Sequence, residues 1–182
     1  MRIIGGTWRG KKLADLQGEQ TRPTSDRARE SLFNLLDNHL RRTEKLWQDI
    51  VFVDVFAGTG AVGVEALSRG ANQVFFFENN PLALKCLKSN TQGIKNCVLM
   101  GDALKPAKSQ AVDIFFMDPP YAKGLWERAL PTFVQNGWVG EDTLVVVETD
   151  KSEKAIIPKG FAEIDRRSYG RNTFMFLMLD AQ

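Results

Sequence analysis

From residue 51 onward, short apolar runs dense in β-branched and aromatic residues alternate with stretches whose apolar positions recur at helical spacing. The runs at 51–56, 74–78, 98–100, 114–118 and 143–148 read as strands. Between them, 62–69, 81–90 and a stretch around 126–135 read as helices. Such alternation is the pattern of parallel strands joined by crossover helices. The last two runs, 161–168 and 173–179, are separated only by Tyr169-Gly170-Arg171-Asn172. That connection is too short to cross the sheet, so these two strands must form an antiparallel hairpin. The expected architecture is α/β and Rossmann-like, a sheet of about seven strands that is parallel except for one antiparallel partner at its end.

The first 46 residues follow another pattern. Residues 2–4, a Gly5-Gly6 turn and residues 7–13 suggest a small β-hairpin, followed by a polar loop through Gln20. A helix then starts at Thr24 or Ser25 as cap, with Asp26 favourable in its first turn, and places Ala28, Leu32, Leu35, Leu36 and Leu40 on one face. We therefore divide the chain into an extension, 1–46, and a main domain, 47–182, and find no internal repeat.

Charge sharpens that division. The extension carries ten Lys and Arg against six Asp and Glu, whereas the remainder carries fourteen against sixteen. Positive charge gathered at one end suits a phosphate-binding arm, because Lys and Arg gain affinity by releasing the counterions of a polyanion. Apolar residues make up 43% of the 182, enough for one sizeable core. No run of eighteen apolar residues occurs, and Met1-Arg2-Ile3-Ile4-Gly5-Gly6 lacks the apolar block of a signal peptide, so a cytoplasmic protein without membrane partners is expected. The two cysteines, Cys86 and Cys97, read as reduced core thiols, and the lone His39 offers no partner for a metal site, so no metal is expected.

The most informative segment runs off the first strand as Asp54-Val55-Phe56-Ala57-Gly58-Thr59-Gly60-Ala61-Val62-Gly63. Gly58, Gly60 and Gly63 spell G-x-G-x-x-G, and Glu78 lies twenty residues past Gly58, as a ribose-binding carboxylate does in dinucleotide folds. Asp54 turns the reading away from a dinucleotide. It sits four residues before the first glycine, in an otherwise apolar strand end, where it would repel a pyrophosphate. The ammonium of a methionine moiety would be its natural partner. S-adenosylmethionine carries that ammonium and a sulfonium, and no phosphate. Asp102, followed by Ala103 after the third strand, can accept from an adenine amine. Asp54, Glu78 and Asp102 thus fall at successive strand ends, the crevice where open α/β sheets bind ligands.

The fourth strand ends in Asp118-Pro119-Pro120-Tyr121. An exocyclic base amine is a poor nucleophile because its lone pair is delocalised into the ring, and acceptors aimed at its N–H bonds localise that pair. Asp118 supplies a carboxylate oxygen and Pro119 a carbonyl with no competing N–H. Pro120 stiffens the loop, and Tyr121 can stack on the base and hold the amine in line with an activated methyl group.

The glycine loop with Asp54, joined to Asp118-Pro119-Pro120-Tyr121, resembles the class I amino-methyltransferases. Arg2-Ile3-Ile4-Gly5-Gly6, Trp8-Arg9-Gly10-Lys11-Lys12-Leu13, Arg22-Pro23-Thr24-Ser25-Asp26-Arg27-Ala28-Arg29-Glu30 and Glu65-Ala66-Leu67-Ser68-Arg69-Gly70-Ala71 narrow the resemblance to the bacterial RsmD family, across nearly the whole chain. That resemblance implies methyl transfer from S-adenosyl-L-methionine to the N2 amine of a guanine in 16S rRNA, within the small ribosomal subunit or its assembly intermediates; a monomer is expected. It implies that Asp54, Phe56, Ala57, Gly58, Thr59, Gly60, Gly63, Glu78, Asn79, Asp102 and Ala103 hold the cofactor. Asp118, Pro119, Pro120 and Tyr121 would hold a flipped guanine. Arg2, Trp8, Arg9, Lys11, Lys12, Arg22, Arg27 and Arg29 would meet RNA.

Other readings explain less. DNA adenine-N6 methylation shares the tetrapeptide, but no segment is long enough for a separate DNA-reading domain. Protein-glutamine methylation usually places Asn where Asp118 stands. A nicotinamide oxidoreductase gives no role to Asp54, Asp102 or Asp118, and a non-catalytic RNA-binding module explains the basic arm alone.

Overall fold

The computed structural model describes residues 1–16, 25–120, 124–153 and 155–180. Its strands are β1 (Val51–Val55), β2 (Gln73–Phe77), β3 (Cys97–Met100), β4 (Ile114–Met117), β5 (Leu144–Asp150), β6 (Phe161–Tyr169) and β7 (Asn172–Leu179). The helices are α1 (Asp26–Arg42), α2 (Ala61–Arg69), α3 (Pro81–Thr91) and α4 (Leu125–Gln135). One seven-stranded sheet has the order β3-β2-β1-β4-β5-β7-β6. The pairs β1–β2, β1–β4, β2–β3 and β4–β5 are parallel, and β7 runs antiparallel to both β5 and β6. The hairpin is therefore as the short connection requires, with one addition: β7 is inserted between β5 and β6, so the reversed strand is second from the edge.

The strand alternation divides the core into two layers. Phe52, Val74, Phe76, Ile114, Phe116, Leu144, Val146, Phe174 and Phe176 face a layer built with α1, α2 and Leu87 of α3. Val53, Val55, Phe77, Phe115, Met117, Val145, Val147, Met175 and Leu177 face the other, built with α4 and Trp138. In that second layer Phe133 packs edge-on against Phe77 and Phe115, with centroids 4.8 and 4.7 Å apart. Cys86 and Cys97 are only half-buried, less enclosed than the core position their apolar neighbours suggested.

The amino-terminal segment belongs to the first layer, where Ile3 and Leu13 are buried together with Ala28, Leu32, Phe33, Leu36 and Leu40 of α1. Its expected hairpin reduces to one antiparallel bridge, Arg2 with Lys12, around a compact turn. The reason is that this backbone is gripped by α2 instead of by a second strand. The buried Glu65 carboxylate accepts from Ile4 N at 2.8 Å and Gly5 N at 2.7 Å, while Arg69 Nε donates to it at 3.0 Å. Ser68 accepts from Thr7 N through its carbonyl, accepts from Trp8 N through its hydroxyl, and donates that hydroxyl to the Gly5 carbonyl. Gly6 has φ +74°, and a Cβ there would lie 1.9 Å from the Ser68 carbonyl oxygen. Gly6→Ala should therefore cost about 2 kcal/mol or more and loosen residues 1–13. Thermal melting with backbone hydrogen exchange checks this; an unchanged melt with full protection at Ile4 and Gly5 would refute it.

Of the two caps considered for α1, Ser25 does the work, its Oγ accepting from Ala28 N at 3.1 Å; Thr24 lies outside the described residues. Asp26 in the first turn and His39, Arg41 and Arg42 in the last complement the helix dipole. No helix of the described residues is long and apolar enough to cross a membrane.

Candidate active site

Parallel strands bring the C-terminal ends of β1, β2, β3 and β4 to one edge of the sheet. The residues following them are Phe56 to Gly60, Glu78, Asp102 and Asp118. Sequence reasoning therefore named side chains that the topology places along a single row.

The glycine loop is held from several sides. Ala57 N donates to the Phe77 carbonyl at 3.0 Å, tying the loop to β2. Glu78 Oε2 accepts from Gly58 N at 2.8 Å, and its Oε1 accepts from Asn79 N and Asn80 N at 2.8 and 2.7 Å. Phe56 has φ 60°, in the left-handed region that non-glycine residues rarely adopt outside functional turns. Gly63 is glycine because α2 lies close on β2: a Cβ there would come 2.2 Å from Phe76 Cε1. At Gly58, with φ +55°, a Cβ would meet nothing within 4 Å, so the constraint is the backbone turn and the space beside it is open.

Asp54 is 1% exposed, and its Oδ2 accepts from Gly63 N at 2.8 Å. It thereby satisfies one of the first-turn N–H groups of α2, which has no side-chain cap of its own. Burial pushes the Asp54 carboxyl up to about 8, against the stabilising Gly63 N–H, and the negative charges of Glu78 and Glu148 push it further the same way. A buried carboxyl so placed is poised for a cationic partner.

Asp102 is half-exposed, its Oδ1 accepting from Leu104 N at 2.9 Å, and Ala103 beside it is buried. Asp118 N donates to the Val55 carbonyl at 3.2 Å, extending the β1–β4 ladder by one bond. That bond aims Asp118 and Pro119 off the end of β4. Asp118 is half-buried, Pro119 buried and Pro120 exposed. Tyr121 lies outside the described residues, as does Arg22.

Asn80, whose contacts the sequence left open, caps α3 by accepting from Leu82 N at 2.9 Å and Ala83 N at 3.2 Å. Among the basic residues, Arg2, Arg9, Lys11, Lys12 and Arg27 are exposed. Trp8 is half-buried against the first core layer, with Lys11 Nζ 5.5 Å from its ring centroid. Arg29 corrects the expectation. It is fully buried, with Nη2 donating to the Arg2 carbonyl at 2.5 Å and to Asp26 Oδ1 at 3.0 Å, so it cannot touch RNA. The clue was in the spacing, since 29, 32, 33, 36 and 40 share one helical stripe.

Two further features were missed. Asn90 is buried between the amino-terminal segment and the glycine loop: Oδ1 accepts from Ala14 N at 2.7 Å, and Nδ2 donates to the carbonyls of Ala14 at 3.0 Å and Thr59 at 2.9 Å. Glu148 is buried near the end of β5, with Oε1 accepting from Asn172 Nδ2 at 2.5 Å. A polar residue near a strand or helix end gives no sequence signal of which distant backbone it will meet. If the glycine loop binds a ligand, Asn90→Ala should weaken that binding about tenfold, because it leaves the Thr59 carbonyl without its buried donor and frees Ala14. Isothermal titration checks this, and wild-type affinity would refute it.

The family described as "Conserved hypothetical protein 95", the RsmD family, matches residues 1–178. The chain belongs to this family. A relative in Haemophilus influenzae named ribosomal RNA small subunit methyltransferase D is 35% identical, the match covering 93% of this chain and 89% of the relative. The protein of the same name in Escherichia coli is 37% identical over 82% of this chain and 75% of its own. Among solved structures, one from Escherichia coli described as a methyltransferase superposes with a TM-score of 0.83 at 32% identity, covering 100% of this chain and 99% of the other. The sheet is the Rossmann-like fold that the strand pattern led us to expect, and the structural neighbours are class I methyltransferases, as the resemblance implied.

Proposed function

We propose that the protein transfers a methyl group from S-adenosyl-L-methionine to the N2 amine of a guanine in 16S rRNA of the small ribosomal subunit, acting as a cytoplasmic monomer. The observation that carries this reading is the row of Asp54, Glu78, Asp102 and Asp118 on one sheet edge, beside a glycine loop with open space at Gly58. The names of the relatives in Haemophilus influenzae and Escherichia coli support rRNA as substrate, and the sequence resemblance supports guanine N2.

The residues fit that cofactor chemically. Asp54 meets the ammonium, Glu78 the ribose hydroxyls and Asp102 the adenine amine, while the backbone from Phe56 to Gly60, Gly63, Asn79 and Ala103 shape the walls. When bound, S-adenosylmethionine supplies a methyl group already activated by the sulfonium charge. The chain's own contribution is positioning and electrostatics. Asp118 and the Pro119 carbonyl accept the two N–H bonds of the amine, aligning its lone pair, and Asp118 stands beside the nitrogen to take up the proton it sheds. Pro120 rigidifies this turn and Tyr121 stacks on the flipped base. The basic extension, 1–46, holds the RNA through Arg2, Arg9, Lys11, Lys12, Arg22 and Arg27, with Trp8 beside them.

The test is titration with S-adenosylmethionine and with NAD, followed by labelled methyl transfer to small subunits from cells lacking the enzyme. Label recovered as N2-methylguanine is the expected result. Binding of NAD alone would overturn the reading, and label on another base would overturn the guanine assignment.

A further inference from the structure

A groove of about 520 Å³ opens between the turn of the amino-terminal segment and the start of α1, with Arg2, Arg9, Arg27, Asp26, Glu30 and Ile4 among the residues that line it. It is a built feature. The buried Arg29 guanidinium lies behind it, fixing the Arg2 backbone through its carbonyl and the Asp26 carboxylate through Oδ1. Asp26 Oδ2 in turn stands 3.5 Å from Arg2 Nε, which orients an otherwise exposed side chain. With Asp26 set against Arg29, the groove presents three guanidinium groups and one further carboxylate, Glu30.

Its place in the fold matters as much as its charge. Beyond the C-terminus of α1, Lys45 pairs with Asp113 just before β4, so the last turn of the helix lies toward the strand starts and its first turn toward the catalytic edge. Met1, adjacent to Arg2, reaches the glycine loop with its sulfur 3.9 Å from Thr59 Oγ1. The Arg2 end of the groove therefore lies near the glycine loop, on the side of the sheet edge where β1 ends.

We propose that this groove seats one unpaired nucleotide of the substrate RNA beside the methylation target; the proposal rests on the RNA methyltransferase reading above. The phosphate lies among Arg2, Arg9 and Arg27, whose planar forks match phosphate oxygens and stack on bases. Glu30 accepts from the base amines, and Ile4 offers an apolar wall. The volume falls within the roughly 300–1,000 Å³ of sites that enclose one small ligand. A single nucleotide matches that volume, whereas a duplex would engage the exposed guanidinium groups mainly through its backbone.

The double variant Arg9→Glu with Arg27→Glu tests this, since both side chains are exposed; Lys88→Glu with Lys95→Glu serves as a control pair away from the groove. Binding of fluorescent eight-nucleotide RNA, single-stranded and duplex, is compared by anisotropy, alongside methylation kinetics on small subunits. The groove variant is expected to lose single-strand affinity at least tenfold, to lose less on the duplex, and to lower the salt slope by about 1 to 2. Its KM for small subunits should rise with kcat and S-adenosylmethionine affinity unchanged, and the control pair should behave as wild type. Equal losses on both RNAs, or a loss matched by the control, would reduce the groove to general surface charge and overturn the proposal. If wild-type protein binds the single strand through the groove yet methylates no ribosomal particle, the functional reading fails and the groove stands.

Discussion

Asp118→Ala is expected to abolish measurable methyl transfer, a loss of at least about a hundredfold to a thousandfold, while S-adenosylmethionine affinity stays within about threefold of wild type. The split follows from position. Asp118 stands off the end of β4, joined to β1 through its own N–H and the Val55 carbonyl. Neither bond to the glycine loop nor cap on α2 depends on its side chain among the described contacts. On the proposed mechanism, removing the carboxylate takes away the acceptor for the target amine while the Glu78–Gly58 and Asp54–Gly63 bonds of the glycine loop remain. Single-turnover rates with saturating cofactor measure the first effect and titration the second. Retained methyl transfer would remove Asp118 from the chemistry, and a parallel collapse of cofactor binding would make it structural.

The second large effect belongs to Asp54, whose buried carboxyl is raised from 3.8 to about 8. Between those values the folded protein holds a proton that the unfolded chain has released. Stability therefore falls as pH rises through that window, and the contribution favouring the folded state is fully present only below about 4. Asp54→Asn removes the titration and keeps an amide oxygen to accept from Gly63 N. Relative to wild type it should gain stability steadily from pH 5 to about 8 and then level off, by a few kcal/mol at the plateau, while losing cofactor affinity at least tenfold. Wild-type binding near pH 7 should release close to one proton, as the ammonium of the ligand draws Asp54 into its charged form. Urea unfolding across pH tests the first expectation, and titration calorimetry in buffers of different ionisation enthalpy tests the second. Parallel stability profiles for the two proteins would sink the assignment.

The strands, helices and row of acids were legible because they rest on local rules. Periodicity located every strand of the sheet within one or two residues, and the four-residue link forced the final hairpin. The parts that stayed hidden depend on partners far along the chain. Glu65 looks like an ordinary helix carboxylate until Ile4 and Gly5 fold back on it, sixty-one and sixty residues away. Asn90 reaches Ala14 across seventy-six residues. Arg29 was readable in principle from its stripe, but a rule that places Arg outside prevailed over the spacing. Likewise, nothing in a short connection says on which side of β6 the returning strand will lie.

The inserted strand also sets an order of events during folding. β7 follows both of its neighbours in the chain, yet among the described strands it alone bridges β5 and β6. Until residues 172–179 arrive, β5 presents a bare row of backbone donors and acceptors beside Val145 and Val147, and β6 has nothing to pair with. Closure of the sheet is thus a late step in which one segment completes two ladders at once. A chain lacking that segment would carry an exposed, apolar strand edge open to pairing with other chains. The same edge would reopen first if β7 were loosened.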